Sequence, residues 1–124
     1  MNPNPLHDAY ENFNAGRLEA AEEGCRTVLG AEADHSEANH LLGIIRFRQG
    51  RTADACVFLE RAAASPTARP EMHNNLGAVL NSLGRTGEAM AAFERALAIN
   101  PDYADALNNL GVIYRDAKKI DQAI

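Results

Sequence analysis

The tetrapeptide Asn-Asn-Leu-Gly occurs at Asn74 to Gly77 and again at Asn108 to Gly111, 34 residues on, and unrelated positions keep the same step. Leu42-Gly43 precedes Leu76-Gly77 and Leu110-Gly111 at that interval. Gly16, Gly50 and Gly84 form a second series, with Lys118 in its fourth place, and Ala21, Ala55, Ala89 and Ala123 form a third. Glu60-Arg61-Ala62 returns as Glu94-Arg95-Ala96, and Gly50-Arg51-Thr52 as Gly84-Arg85-Thr86. A fixed period of this length points to a helix-turn-helix array, in which each unit buries its apolar face only against its neighbours.

Within a unit the apolar residues recur at three- and four-residue steps. Leu76, Val79, Leu80 and Leu83 are followed by Ala89, Met90, Phe93, Ala96 and Leu97, so each unit reads as two helices. Gly77 with Ala89, and Gly43 with Ala55, would let the paired helices approach closely, because none carries a bulky side chain. Ser36, Thr52, Thr86 and Asp102 are expected to cap helix starts, with Gly50 and Gly84 at the preceding helix ends. Asn100-Pro101-Asp102 closes one unit and opens the next. The last first-helix is expected from Tyr103 to about Ala117, with a further helix starting near Asp121 and Ala123 packing on Gly111.

These residues resemble the pattern of the tetratricopeptide repeat family. Pro70 to Tyr103 carries Leu76, Gly77, Leu80 in the aromatic place, Gly84, Ala89, Phe93, Ala96 and Pro101. The unit from Ser36 has Leu42, Gly43, Gly50, Ala55, Leu59 and Ala62, but Arg46 replaces the aromatic and Pro66 comes one residue early. The unit from Ala104 has Leu110, Gly111, Tyr114 and Ala123; the first keeps only Gly16, Ala21 and Val28, with Cys25 in the place of the aromatic. The resemblance implies an all-α, right-handed α-solenoid of about three and a half repeats in a single array over residues 1–124, with borders near 2–35, 36–69, 70–103 and 104–124. The incomplete last unit suggests a piece of a longer protein, or an uncapped end through which the chain self-associates.

Composition narrows the function. A net charge of -5 and a sequence pI of about 5.3 argue against nucleic-acid binding, which needs clustered Lys and Arg. Cys25 and Cys56 fall at packing positions with no CxxC or Cys/His cluster beside them. No signal peptide and no apolar run of about 20 residues is present, so no membrane role and a cytoplasmic location are expected. Phosphate-loop, dinucleotide, zinc-protease and serine-hydrolase motifs are absent, and His7, His35, His40 and His73 are too scattered for a metal site. Glu22-Glu23 reads as a solvated pair. No catalytic residue, cofactor or metal is expected.

What remains is a surface. In arrays that resemble this one the first helices line a groove, and the positions left over from packing are Glu37, His40, Ile44, Phe47 and Arg48 in the second unit. They are Asn74, Asn75, Ala78 and Asn81 in the third, and Asn108, Asn109, Val112 and Arg115 in the fourth. Neighbouring Asn residues on a helix point about 100° apart, so one of each pair faces the groove, with Asn75 and Asn109 the expected ones. An Asn amide offers an acceptor and two donors, the complement of a peptide backbone, so a ladder of them would hold an extended chain irrespective of its sequence. Acidic Glu37, Glu71 and Asp105 weigh against capture of a C-terminal carboxylate. The expected function is a non-catalytic scaffold for a peptide or partner protein. The alternative is the substrate-recruiting segment of a larger enzyme similar to protein O-glycosyltransferases of the O-GlcNAc transferase and SPINDLY type, or to methyl- or sulfotransferases.

Overall fold

The computed structural model describes residues 4–123, with side chains up to Lys119. These residues form an all-α helical repeat of the solenoid class: α1 (Pro5–Asn14), α2 (Leu18–Ala31), α3 (Ser36–Arg48), α4 (Thr52–Ala63), α5 (Pro70–Ser82), α6 (Thr86–Ile99) and α7 (Ala104–Ala123). They gather into two compact units, Met1–Ala68 and Arg69–Ile124.

In the first unit α1 packs on α2, α2 on α3 and α3 on α4. Ala9, Ala21, Cys25, Leu41, Leu42 and Ile45 make its core, with Tyr10, Phe13, Leu18, Leu29 and Phe58 packed against it. Each fully buried Leu or Ile contributes about 1.5–3 kcal/mol by leaving water. In the second unit α5 packs on α6 and α6 on α7, around Met72, Leu76, Val79, Leu80, Phe93, Ala96, Leu110 and Ile113.

The turn glycines do what their period implies. Gly16, Gly50 and Gly84 have φ of 81°, 78° and 78°, a left-handed conformation that a Cβ disfavours. Each is tied in the same way: Gly50 N–H donates to the Phe47 carbonyl at 3.0 Å, and Arg51 N–H to the Arg46 carbonyl at 2.9 Å. That doubly bonded closure is a Schellman helix end. Because it uses the glycine and the arginine after it, the arginine becomes the last residue outside the next helix. Thr52 and Thr86 are therefore the first helical residues and not the caps. Arg51 and Arg85 instead reach forward to Asp54 (2.8 Å) and Glu88 (2.6 Å), one turn into the helices they precede. At α3 the cap is His35, whose Nδ1 accepts from Ala38 N–H at 3.2 Å, while Ser36 Oγ donates to the Ala62 carbonyl at 3.1 Å. Asp102 lies in the turn before α7, where its N–H donates to Asn100 Oδ1 at 3.1 Å.

Two further departures have local causes. The fourth place of the glycine series is Lys118, for which the left-handed turn is costly, and α7 runs straight through it for 20 residues instead of stopping near Ala117. In the first repeat Ala9 stands where Gly43 and Gly77 stand later, and the missing methyl moves across to the facing helix. A Cβ on Gly24 would lie 2.8 Å from Ala9 Cβ and 2.8 Å from the Pro5 carbonyl oxygen. A Cβ on Gly43 would lie 2.6 Å from Leu59 Cγ and Cδ2 and 3.3 Å from the Ala55 carbonyl oxygen, and one on Gly77 would meet the ring of Phe93, so at both positions the nearest neighbour is the large residue one turn beyond the expected Ala55 or Ala89. The packing expected of Ala123 lies outside the described side chains.

Candidate functional site

Each unit presents a first-helix face. In the first unit α3 lies beside α1, and two of the expected surface groups are held by it. Tyr10 Oη donates to Glu37 Oε2 at 2.7 Å. The Arg48 guanidinium sits 4.4 Å from the Phe13 ring centroid, a cation–π contact. Tyr10 and Phe13 are members of this face that the sequence reading did not single out, although two aromatics three apart on one helix mark a common side. Ile44 is half-buried, Phe47 is exposed, and His40 is buried at 6%.

In the second unit the amides divide. Asn74 is buried, and its Oδ1 accepts from Asn109 Nδ2 at 3.0 Å, tying α5 to α7. Asn75 and Ala78 are half-buried, while Asn81, Asn108, Val112 and Arg115 are exposed. Thus Asn109, expected from the sequence to face the groove, spends one donor between helices, and Asn75 is the more exposed member of its own pair. Two rows of repeat-equivalent positions stay uncovered or partly so in their units. One is Ile44, Ala78 and Val112; the other is Phe47, Asn81 and Arg115.

The side of α7 that corresponds to the α6-covered side of α5 is open. Leu107 and Tyr114 are 50% and 53% exposed, where His73 and Leu80, their repeat equivalents, are 8% and 4%. A Cβ on Gly111 would meet nothing within 4 Å.

The charged group that sequence reasoning placed wrongly is Glu22. It is not part of a solvated carboxylate pair but bonds the buried guanidinium of Arg46, which also donates through Nη1 to Gln49 Oε1 at 3.0 Å. Burial, with Arg51 nearby, pulls the Arg46 guanidinium below its usual range. The separation of 24 residues, with one partner in the weakly patterned first repeat, hid the pair. Elsewhere, burial pushes the Cys25 thiol up to about 11, which makes it an inert packing group. No group of three or more His, Cys, Asp or Glu among the described residues could hold a metal ion, and no described helix is long and apolar enough to cross a membrane.

Comparison with known proteins agrees with this architecture. Cellulose synthase operon protein C of Komagataeibacter sucrofermentans is 36% identical over 56 residues, which are 45% of this chain and 4% of that protein. The Thermobaculum terrenum O-GlcNAc transferase (K341M mutant) superposes with a TM-score of 0.79 at 35% identity, over 87% of this chain and 21% of that one. The chain thus spans a small part of the length of either. The first TPR of Spaghetti, bound to an HSP90 peptide, has the same fold, with a TM-score of 0.85 at 20% identity over 92% of this chain and 90% of that one. Residues 9–69 match the model of the tetratricopeptide repeat and residues 77–117 a second model of the TPR repeat. With the period, the paired helices and the glycine closures all in register with those matches, the chain belongs to the tetratricopeptide repeat family.

Proposed function

We infer that this segment is a protein-interaction module that holds an extended peptide against its first-helix faces and performs no chemistry itself. Binding of proteins or peptides is the general work of this repeat. The observation that carries the reading here is that each unit by itself keeps first-helix positions that packing does not fully consume, Ile44 and Phe47 in the first and Ala78, Asn81, Val112 and Arg115 in the second. Ile44, Ala78 and Val112 supply apolar contact in their units, and Phe47, Asn81 and Arg115 supply an aromatic ring, an amide and a cation. Asn75 and the remaining Asn109 donor add backbone-directed hydrogen bonds beside them. A library of unstructured peptides screened against the chain tests this. Binders should lose roughly tenfold in affinity on Phe47→Ala in the first unit or Arg115→Ala in the second, and less on Asn75→Ala with Asn109→Ala, at nearly unchanged thermal stability. Capture indifferent to all four changes would reject the reading.

A second reading is favoured by the 35% identity to an O-GlcNAc transferase of which this chain covers 21%. In it the same faces deliver protein substrate to a catalytic domain carried on the same polypeptide. Sequencing the reading frame on both sides of this segment, then assaying glycosyl transfer with and without it, separates the two.

A further inference from the structure

Arg46 is 5% exposed, yet both of its hydrogen bonds leave from one nitrogen, Nη1, towards Glu22 and Gln49. Its Nε and Nη2 bond to no described residue. Arg46 lines two adjoining hollows in the first unit. The one of about 650 Å³ is balanced in charge, with Glu19, Glu22 and Glu23 against Arg26, Arg46 and Arg51. The other, of about 270 Å³, is not: Arg46, Arg51 and Arg61 face a single carboxylate, Asp54, which Arg51 already holds at 2.8 Å. Counting Glu22 against Arg46 as well, its lining keeps one uncompensated positive charge. The rest of that wall is apolar, made of Val57, 48% exposed, and Phe58, over whose ring Arg61 sits at 5.6 Å. Residues two apart on a helix point about 200° apart, so Arg46 faces away from Ile44 and Arg48.

We propose that the hollow lined by Arg46, Arg51, Val57, Phe58 and Arg61 is a second binding site, which takes the carboxylate of an acidic residue flanked by an apolar one in a partner peptide. Guanidinium donors match carboxylate oxygens in pairs, and a buried arginine with free donors is positioned before the ligand arrives. One uncompensated charge suits a monoanion better than a phosphate dianion, and Val57 with Phe58 suits the apolar neighbour. The site is separate from the first-helix faces and stands or falls independently of them.

The test uses the whole chain with arginine side-chain Nε–H resonances followed by NMR. The probes are acetyl-Gly-Glu-Leu-Gly-amide, its Gln counterpart and inorganic phosphate. The Glu peptide should shift the Arg46 and Arg61 resonances and bind about fivefold more tightly than the Gln peptide, the scale of one partly exposed charge contact. Arg61→Gln, an exposed change that leaves the core intact, should remove that preference, and Val57→Ser should weaken both peptides alike. Equal binding of the Glu and Gln peptides, shifts confined to other arginines, or stronger binding of phosphate than of the Glu peptide would each overturn the proposal.

Discussion

Gly77 and Gly111 occupy the same repeat position in one compact unit, and the same substitution should stabilise at Gly111 but not at Gly77. A Cβ on Gly77 would lie 2.5 Å from Phe93 Cε1, 2.7 Å from Cδ1 and 2.8 Å from Cζ. Phe93 is 1% exposed, so its ring has nowhere to go, and overpacking of this kind costs about 1–3 kcal/mol. Replacing a helical glycine by alanine returns about 1 kcal/mol of backbone propensity at either position. Gly111→Ala, with nothing within 4 Å, should therefore stabilise by about 1 kcal/mol, while Gly77→Ala should be neutral to destabilising by about 2 kcal/mol. Since the propensity term is common, the difference between the two variants isolates the packing cost. Urea unfolding followed by far-UV circular dichroism reads it directly. Shifts of the same sign and similar size would refute the account of close helix approach.

The remaining predictions concern the turns, the buried charges and the thiols. Gly50→Ala should cost about 1–2 kcal/mol, because the closure at φ 78° forces a Cβ into the left-handed region, and a thermal melt will show it. Lys118→Gly should end α7 early, read as loss of helical Cα shifts after residue 118. Glu22→Ala should destabilise by about 3 kcal/mol by leaving Arg46 buried and unpaired, whereas Arg46→Leu should cost much less, since Glu22 retains Arg26 at 3.7 Å. Burial, with Arg95 nearby, holds the His73 imidazole below its ordinary value of 6.5, so the unfolded chain binds the proton more readily than the folded one. The stability this gives is complete above about 6.5 and lost as pH falls towards the folded-state value; a pH series of melts should flatten on His73→Leu relative to the parent.

The period made the helices and turns legible because both depend on local rules: a 3.6-residue apolar rhythm and a glycine wherever φ turns positive. What it could not give was rotation about each helix axis, which decides that Phe93 and not Ala89 lies nearest Gly77, and that Asn74 turns inward to Asn109. Nor does a period reveal compensation. Ala9 breaks the glycine series in the first repeat, and only the facing helix shows that Gly24 restores the clearance. Thr52 and Thr86 fall one residue inside their helices because the Schellman closure has already taken the capping position for an arginine, whereas at α3 the cap is His35.

One slot of the repeat brings the fold and the second proposed site together. Asn12, Arg46, Leu80 and Tyr114 follow one another at the repeat interval, in the first helix of each unit near its end. Leu80 fills the slot at 4% exposure, so an apolar side chain is all that packing there requires. Asn12 accepts from Arg17 Nε at 2.9 Å, a local bond that ties the turn. Arg46 is not apolar, and besides its local bond to Gln49 at 3.0 Å it reaches across to Glu22. It brings a charge into a buried place, needs Glu22 to make that tolerable, and leaves two nitrogens without partners. A buried ion pair commonly contributes no more than well-packed hydrophobic residues of similar volume. Packing at this slot therefore does not require arginine at 46, and its two unbonded nitrogens are what the proposed site in the hollow beside it uses.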